Sequence, residues 1–118
     1  MLLFFDLDGF KKINDEHGHA TGDQCLKNFA GALRDSFRPD DHVVRYGGDE
    51  FLVVAPGLDA AAARHRIEKV TVLLNLHRGE QIYCGFSVGM SELAAFGPPE
   101  VALQQADQNM YKAKNRIR

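Results

Sequence analysis

The sequence predicts an α+β domain, an α/β sandwich in which helices flank a mixed, mostly antiparallel sheet. Short apolar runs typical of strands alternate with stretches that repeat apolar residues every three or four positions. Two of the apolar runs are separated by Gly47-Gly48-Asp49-Glu50, which is typical of a tight turn between paired strands. These observations give the order β-α-α-β-β-α-β-α, and helices interleaved with a hairpin favour this layered architecture.

Length and composition limit the class of protein. A chain of 118 residues that is 45% hydrophobic and 25% charged predicts a single domain, 1–118, with a true core. A net charge of −2 excludes a broad basic face, so we expect no binding to duplex nucleic acid. Two cysteines cannot form a disulfide framework, and neither a membrane span nor a signal peptide is visible. We therefore expect a cytoplasmic location.

The first half of the chain contains one strand and two helices. Leu2–Phe5 is a continuous apolar run that ends at Asp6, as expected for a strand covered on both faces. Residues 8–18 predict a short helix and a glycine-rich turn. Thr21 is expected to cap the second helix, and Pro39 to end it. The apolar stripe of that helix consists of Leu26, Phe29, Ala30, Leu33 and Phe37.

The second half contains a hairpin, a helix, a strand and a final helix. Val43–Tyr46 and Phe51–Val54 predict the two strands of the hairpin, and Asp59 is expected to cap the third helix. Alternation over Ile82–Met90 predicts a strand with one core face. The helical stripes on either side consist of Ala63, Ile67, Val70 and Leu74, and of Leu103, Ala106, Met110 and Ala113.

Two acidic clusters each adjoin an apolar strand. The first is Asp6-Leu7-Asp8 and the second is Asp49-Glu50 in the hairpin turn. Neighbouring strands would bring Asp6 and Asp49 to one edge, where clustered carboxylates need a cation such as Mg²⁺ or Mn²⁺. Such a site commonly binds phosphate oxygens. The alternative is that turns simply favour Asp, with solvated side chains.

The string Arg45-Tyr46-Gly47-Gly48-Asp49-Glu50-Phe51 resembles the signature of the GGDEF family of diguanylate cyclases. Similar blocks lie in compatible order over nearly the whole chain, and the resemblance implies a palm-like sheet shared with class III nucleotidyl cyclases. The further blocks are Phe5–Asp15, Gly18-His19, Gly22-Asp23, Phe86–Gly89, Ala106-Asp107 and Tyr111–Lys114.

The resemblance implies a metal-dependent active site. Asp6 and Asp49 match the metal-binding carboxylates of the family, and the carbonyl oxygen of Leu7 completes the protein ligands. Glu50 matches the neighbouring acid, which helps the metal or the attacking hydroxyl. The implied cofactor is Mg²⁺ or Mn²⁺, with two metals acting on phosphate oxygens.

The resemblance also implies a guanine-binding pair, Asn14 and Asp23. A carboxylate can accept from both guanine N1–H and the exocyclic amine, a pair that adenine lacks. Gly47 and Gly48 let a bulky phosphorylated ligand approach the hairpin. The structural alternatives are a turn residue for Asn14 and a first-turn helix carboxylate for Asp23.

Two basic clusters match further family sites. Lys114 and Arg118 match the cations that hold the triphosphate, although Ile117 replaces the usual glycine, and cations also favour a helix end for structural reasons. Arg38 and Asp41 match the RxxD inhibitory site that binds the product. A helix ending before a Pro-Asp turn explains those two residues equally on structural grounds.

The implied function is condensation of two GTP molecules into cyclic di-GMP and two pyrophosphates by a homodimer, controlled by an upstream sensor or receiver domain. The alternative is a module that binds GTP or cyclic di-GMP without catalysis and regulates a neighbouring domain. A phosphatase of the haloacid-dehalogenase type is disfavoured, because Phe10 replaces the usual residue after its DxDG strand. The chain also begins and ends close to predicted elements, so we expect the N-terminal helix and closing strand of the family to lie outside it.

Overall fold

The structure, a computed structural model, describes residues 1–76, 84–93 and 98–117. Within these ranges the elements follow the predicted order, and no helix there is both long and apolar enough to cross a membrane. The elements are β1 (Leu2–Leu7), α1 (Phe10–His17), α2 (His19–Ser36), β2 (His42–Arg45), β3 (Glu50–Val54), α3 (Ala60–Asn75), β4 (Phe86–Ser91) and α4 (Pro99–Ile117).

The described strands form one sheet in the order β2-β3-β1-β4, and every ladder between them is antiparallel. β1 lies between two neighbours, with Phe5 opposite Phe51 of β3 on one side and Val88 of β4 on the other. All of β1 is buried, which explains its uninterrupted apolar run. The predicted α+β class is confirmed.

Two apolar layers cover β1. Leu3, Phe5 and Leu7 face the larger core beneath α2 and α3, whereas Leu2 and Phe4 face α4. Successive side chains of a strand point to opposite faces, so one strand serves both layers. In the larger core, the Phe29 ring lies 5.6 Å from that of Phe5, 5.2 Å from that of Phe51 and 5.4 Å from that of Phe86.

The structure corrects one predicted cap and confirms another. α2 begins at His19 after Gly18, whose φ of 90° favours glycine, and Thr21 lies inside the helix with its hydroxyl donating to the carbonyl oxygen of His17. The prediction of Thr21 as the cap was therefore wrong. Asp59 does cap α3, accepting from the amide of Ala62 at 2.8 Å.

β4 differs from its predicted burial. Phe86, Val88 and Met90 pack against the larger core as expected but are only partly buried, whereas Ser87 and Gly89 on the opposite face are buried. The reason is the close approach of α4, since a Cβ at Gly89 would meet the α4 backbone. This contact fixes the position of α4 beside β1. Ile82 lies outside the described residues.

Candidate active site

The hairpin between β2 and β3 lies beside the end of β1. Asp6 is opposite Glu50 in the β1–β3 ladder, and the Leu7 amide donates to the Asp49 carbonyl oxygen at 3.0 Å. The carboxyl groups of Asp6 and Asp49 lie close enough for their charges to interact. The two acidic clusters, which are far apart in sequence, therefore meet at one edge of the sheet.

Burial and like charge act on these acids in the same direction. The pKa of the Asp49 carboxyl is raised, first by burial and then by the negative charge of Asp6 beside it. Burial also raises the pKa of Glu50, with added repulsion from Asp6 and Asp49. The ammonium of Lys114 opposes both shifts. Negative charge is thus concentrated at a partly desolvated edge.

Lys114 of α4 contacts this cluster directly. Its Nζ donates to Oδ2 of Asp6 at 2.7 Å, and the two side chains are only 20% and 12% exposed. The other Asp6 oxygen, Oδ1, is buried and has no hydrogen-bond partner among the described residues. Lys114, which the family resemblance assigns to a triphosphate, therefore has its ammonium at the Asp6 carboxylate.

The donor set fits a hard divalent cation. Carboxylate and carbonyl oxygens are the ligands that Mg²⁺ prefers, and the buried Oδ1 of Asp6 is an acceptor that a cation could satisfy. Among the described residues there is no group of three or more His, Cys, Asp or Glu side chains able to hold an ion. A cation at Asp6 and Asp49 would therefore take its remaining ligands from the backbone, water or phosphate.

Arg45 holds the hairpin in shape. Its guanidinium donates to the carbonyl oxygens of Gly47 at 3.2 Å and Gly48 at 2.7 Å. Gly47 also lies against Glu50, because a Cβ at Gly47 would come within 2.7 Å of a Glu50 carboxylate oxygen. Arg45 belongs to the family signature in the sequence, but the signature alone assigns it no role. No pattern in the sequence indicates that it contacts both carbonyls.

Asp8 has a structural partner that the sequence analysis also missed. The buried hydroxyl of Ser87 donates to a carboxylate oxygen of Asp8 at 2.8 Å, and the Cys84 thiol donates to the Asp8 carbonyl oxygen at 3.4 Å. These contacts tie β4 to the segment after β1. The block Phe86–Gly89 that resembles the family was the available signal for Ser87.

The predicted guanine-binding residues lie on the first two helices. Asn14 is on α1, and its Oδ1 is buried without a hydrogen-bond partner among the described residues. Asp23 is exposed on the first turns of α2, next to Gly22, against which the Asn14 carboxamide packs. The arrangement offers one buried acceptor and one exposed carboxylate.

Arg38 and Asp41 lie at the other end of the sheet. β2 begins after Asp41, and its first residue, His42, pairs with Val54, which in turn pairs with the start of β1. The Arg38 guanidinium donates to Asp41 at 3.2 and 3.4 Å, so the predicted inhibitory pair is engaged within itself. A cavity of about 400 Å³ is lined in part by both residues. Arg118 lies outside the described residues.

The sequence has curated relatives. It is 39% identical over 114 residues to "Diguanylate cyclase DgcS" of Shewanella oneidensis, an alignment that covers 96% of this chain and 38% of the relative. The chain spans between 18% and 38% of the length of such relatives.

Two solved GGDEF domains have folds similar to that of this chain. The GGDEF domain of PA1120 (YfiN or TpbB) from Pseudomonas aeruginosa matches with a TM-score of 0.85 and 35% identity, covering 98% of this chain and 75% of that one. The GGDEF domain of DgcB from Caulobacter crescentus, in complex with c-di-GMP, matches with a TM-score of 0.87 and 27% identity, covering 99% and 72%. The profile of the family described as "Diguanylate cyclase, GGDEF domain" matches residues 1–118, and the chain belongs to that family.

Proposed function

We propose that this chain is a catalytic domain that condenses two GTP molecules into cyclic di-GMP and releases two pyrophosphates. The observation that carries the proposal is the adjacent pair Asp6 and Asp49, with one buried Asp6 oxygen lacking a hydrogen-bond partner among the described residues. Membership of the diguanylate cyclase family supports the same reaction.

In the proposed reaction, the 3′-hydroxyl oxygen of one GTP attacks the α-phosphorus of the other, and the bond from that phosphorus to pyrophosphate breaks. We assign the hydroxyl proton to the Glu50 carboxylate, because Glu50 lies opposite Asp6 in the β1–β3 ladder, at the edge where the phosphates would bind. When bound at Asp6, Asp49 and the Leu7 carbonyl oxygen, two Mg²⁺ or Mn²⁺ ions would stabilise negative charge on the phosphate oxygens. A second, reciprocal attack closes the ring.

The remaining site residues hold the substrate. Asn14 and Asp23 would bind guanine, and the proximity of the Asn14 carboxamide to the residue before Asp23 supports a shared role. Lys114, already beside Asp6, would neutralise triphosphate oxygens. Gly47 and Gly48 leave the hairpin free of side chains where the phosphates approach.

Catalysis is proposed to need two copies of the chain. Each copy binds one GTP, so the two reacting nucleotides meet only when the sites face each other. Alignment of two bound reactants supplies much of the barrier reduction in such a reaction. A neighbouring sensor or receiver domain would then control the rate by controlling this encounter.

Product binding at Arg38 is a second proposed activity of the domain. The Arg38 side chain is 44% exposed beside the cavity of about 400 Å³, whereas the Asp41 side chain is 1% exposed. Cyclic di-GMP would therefore meet the guanidinium, and Asp41 would hold that guanidinium in place.

A module that only binds nucleotide, without turnover, is the alternative to the cyclase.

Incubation with GTP and Mg²⁺, with products resolved by chromatography, tests the proposal. We expect the parent to form cyclic di-GMP, with a rate per chain that rises with protein concentration, and Asp49→Asn to form none. Asp35→Asn, which changes an exposed acid on α2 outside both proposed sites, serves as the matched control. Calorimetric binding of GTP without any turnover at high protein concentration would favour the binding module, and no binding would contradict both.

A further inference from the structure

The contact between α1 and α2 at Gly22 suggests a role for a residue that has no side chain. We propose that Gly22 is a positioning residue for base recognition, because the absence of a side chain there leaves the space that the Asn14 carboxamide occupies. The inference rests on the proposed guanine-binding role of Asn14. It concerns how the protein discriminates between bases, and it adds no step to the reaction.

The geometry at Gly22 leaves no room for a side chain. Gly22 is buried, and a Cβ there would collide with Oδ1 of Asn14 and lie 2.9 Å from the Asn14 Cγ. The same Cβ would lie 3.4 Å from Cε1 of Phe10, which is ordinary contact. Phe10 and Asn14 are four residues apart and so share one face of α1. Gly22 therefore sits beneath that face.

The colliding atoms show what the glycine protects. At Gly89 an added Cβ would meet the backbone of α4, so that glycine sets the distance between two elements. At Gly22 the colliding atoms belong to the end of the Asn14 side chain, which can rotate away. A methyl group at Gly22 would therefore displace the carboxamide while leaving α1 and α2 packed.

The position of the carboxamide matters for a ligand. Oδ1 of Asn14 is buried against Gly22 and has no hydrogen-bond partner among the residues the structure describes, so a side chain at Gly22 would move the carboxamide that we propose contacts the base. Gly22 immediately precedes Asp23 in α2, so the contact also fixes how far the Asn14 carboxamide lies from the Asp23 backbone. A purine bound by both Asn14 and Asp23 would depend on the distance between these two residues.

Gly22→Ala is the test, and Gly31→Ala is its matched control. Both positions lie in α2, and both substitutions raise intrinsic helix propensity. A Cβ at Gly31 would meet nothing within 4 Å. We would record the side-chain amide NMR signals of Asn14 and titrate the full chain with GTP and with ATP by calorimetry.

The expected result is selective. In Gly22→Ala the Asn14 amide signals shift and GTP binds about tenfold more weakly, as expected for about one lost hydrogen bond, while weak ATP binding is unchanged. Gly31→Ala behaves as the parent. In an Asn14→Ala background, Gly22→Ala causes no further loss, because the colliding atoms are gone; that double variant also folds as Asn14→Ala does.

Two outcomes would overturn the inference. One is Gly22→Ala retaining the parent's Asn14 signals and GTP affinity. The other is an equal loss of GTP and ATP binding, which would indicate general damage to the helix pair. If the parent binds no GTP, the proposed function fails separately, and the Asn14 amide signals still decide whether Gly22 positions that side chain.

Discussion

Two aspartates, Asp6 and Asp41, lie buried at opposite ends of the sheet and differ in how their oxygens are satisfied. Asp41 accepts from the Arg38 amide at 2.9 Å and from the Arg38 guanidinium at 3.2 and 3.4 Å. Asp6 accepts from Lys114 at 2.7 Å through one oxygen, while the other has no partner among the described residues. Asp6 also lies beside a second acid, Asp49.

The Asp41 carboxylate therefore stabilises the local structure, whereas the Asp6 carboxylate is suited to binding a cation. The partner of Asp41 is three residues away, so a single turn can satisfy the carboxylate. The partner of Asp6 is 108 residues away, and the site retains an unused acceptor and excess negative charge. Buried acceptors are normally satisfied, so an unsatisfied one beside a like charge is a natural position for a cation.

Substitution of Asp6 should remove most of the activity. Asp6→Asn removes the charge while preserving shape, so we expect cyclic di-GMP formation to fall by about 10³-fold, as for loss of a strong electrostatic contact in a transition state. Chromatography of the GTP reaction measures this, with Asp35→Asn, at an exposed position on α2, as the control. Retention of more than about a tenth of the parent rate would contradict the assignment of Asp6 as a ligand.

The substitution Asp41→Ala should act on stability. It leaves the Arg38 amide and guanidinium without their acceptor, so we expect the free energy of unfolding to fall by about 2 kcal/mol in urea titrations. The exposed neighbour serves as control, since Asp40→Ala should change that energy by less than about 0.5 kcal/mol. Equal losses of unfolding free energy in Asp40→Ala and Asp41→Ala would contradict a structural role for the Asp41 carboxylate.

Lys114→Met removes the cation that satisfies one oxygen of Asp6. We expect metal-free protein to lose about 1 kcal/mol of stability, since this ion pair is mostly shielded from solvent. Binding of Mn²⁺ alone should become tighter, while GTP binding should weaken. Calorimetry of both ligands checks this, with exposed Lys112→Met as the control. Weaker Mn²⁺ binding in Lys114→Met would count against a cation site at Asp6.

The smallest effect concerns Cys84, which donates to the backbone of Asp8 near the acidic edge. Burial raises the pKa of its thiol from 9.0 to about 12, with further contributions from Cys25 and the nearby acids. The unfolded chain therefore loses the proton first, so stability should fall as pH rises from about 9 towards 12. Urea titrations at several pH values in that range give the free energy of unfolding, which should fall less steeply with pH in Cys84→Ala than in the parent. The same dependence of stability on pH in Cys84→Ala and the parent would contradict a raised pKa of the Cys84 thiol.

Periodicity was sufficient to predict most of the fold. The β1 run and the α2 stripe identified buried faces correctly, because burial of apolar side chains is what holds those elements in place. The Thr21 cap was wrong because Gly18 can turn the chain and start the helix three residues earlier. The burial of Ser87 and Gly89 was missed because it depends on α4, which lies far away in the sequence.

The family, the order of the elements and the candidate site residues can all be predicted from the sequence, because motifs and periodicity are local. Which of those candidates contact one another is known only from the folded chain. The tertiary structure places Lys114 on Asp6, engages Arg38 with Asp41, and packs Asn14 against Gly22. These outcomes depend on ladder register and helix packing, which join residues distant in the chain through distances that no local pattern encodes.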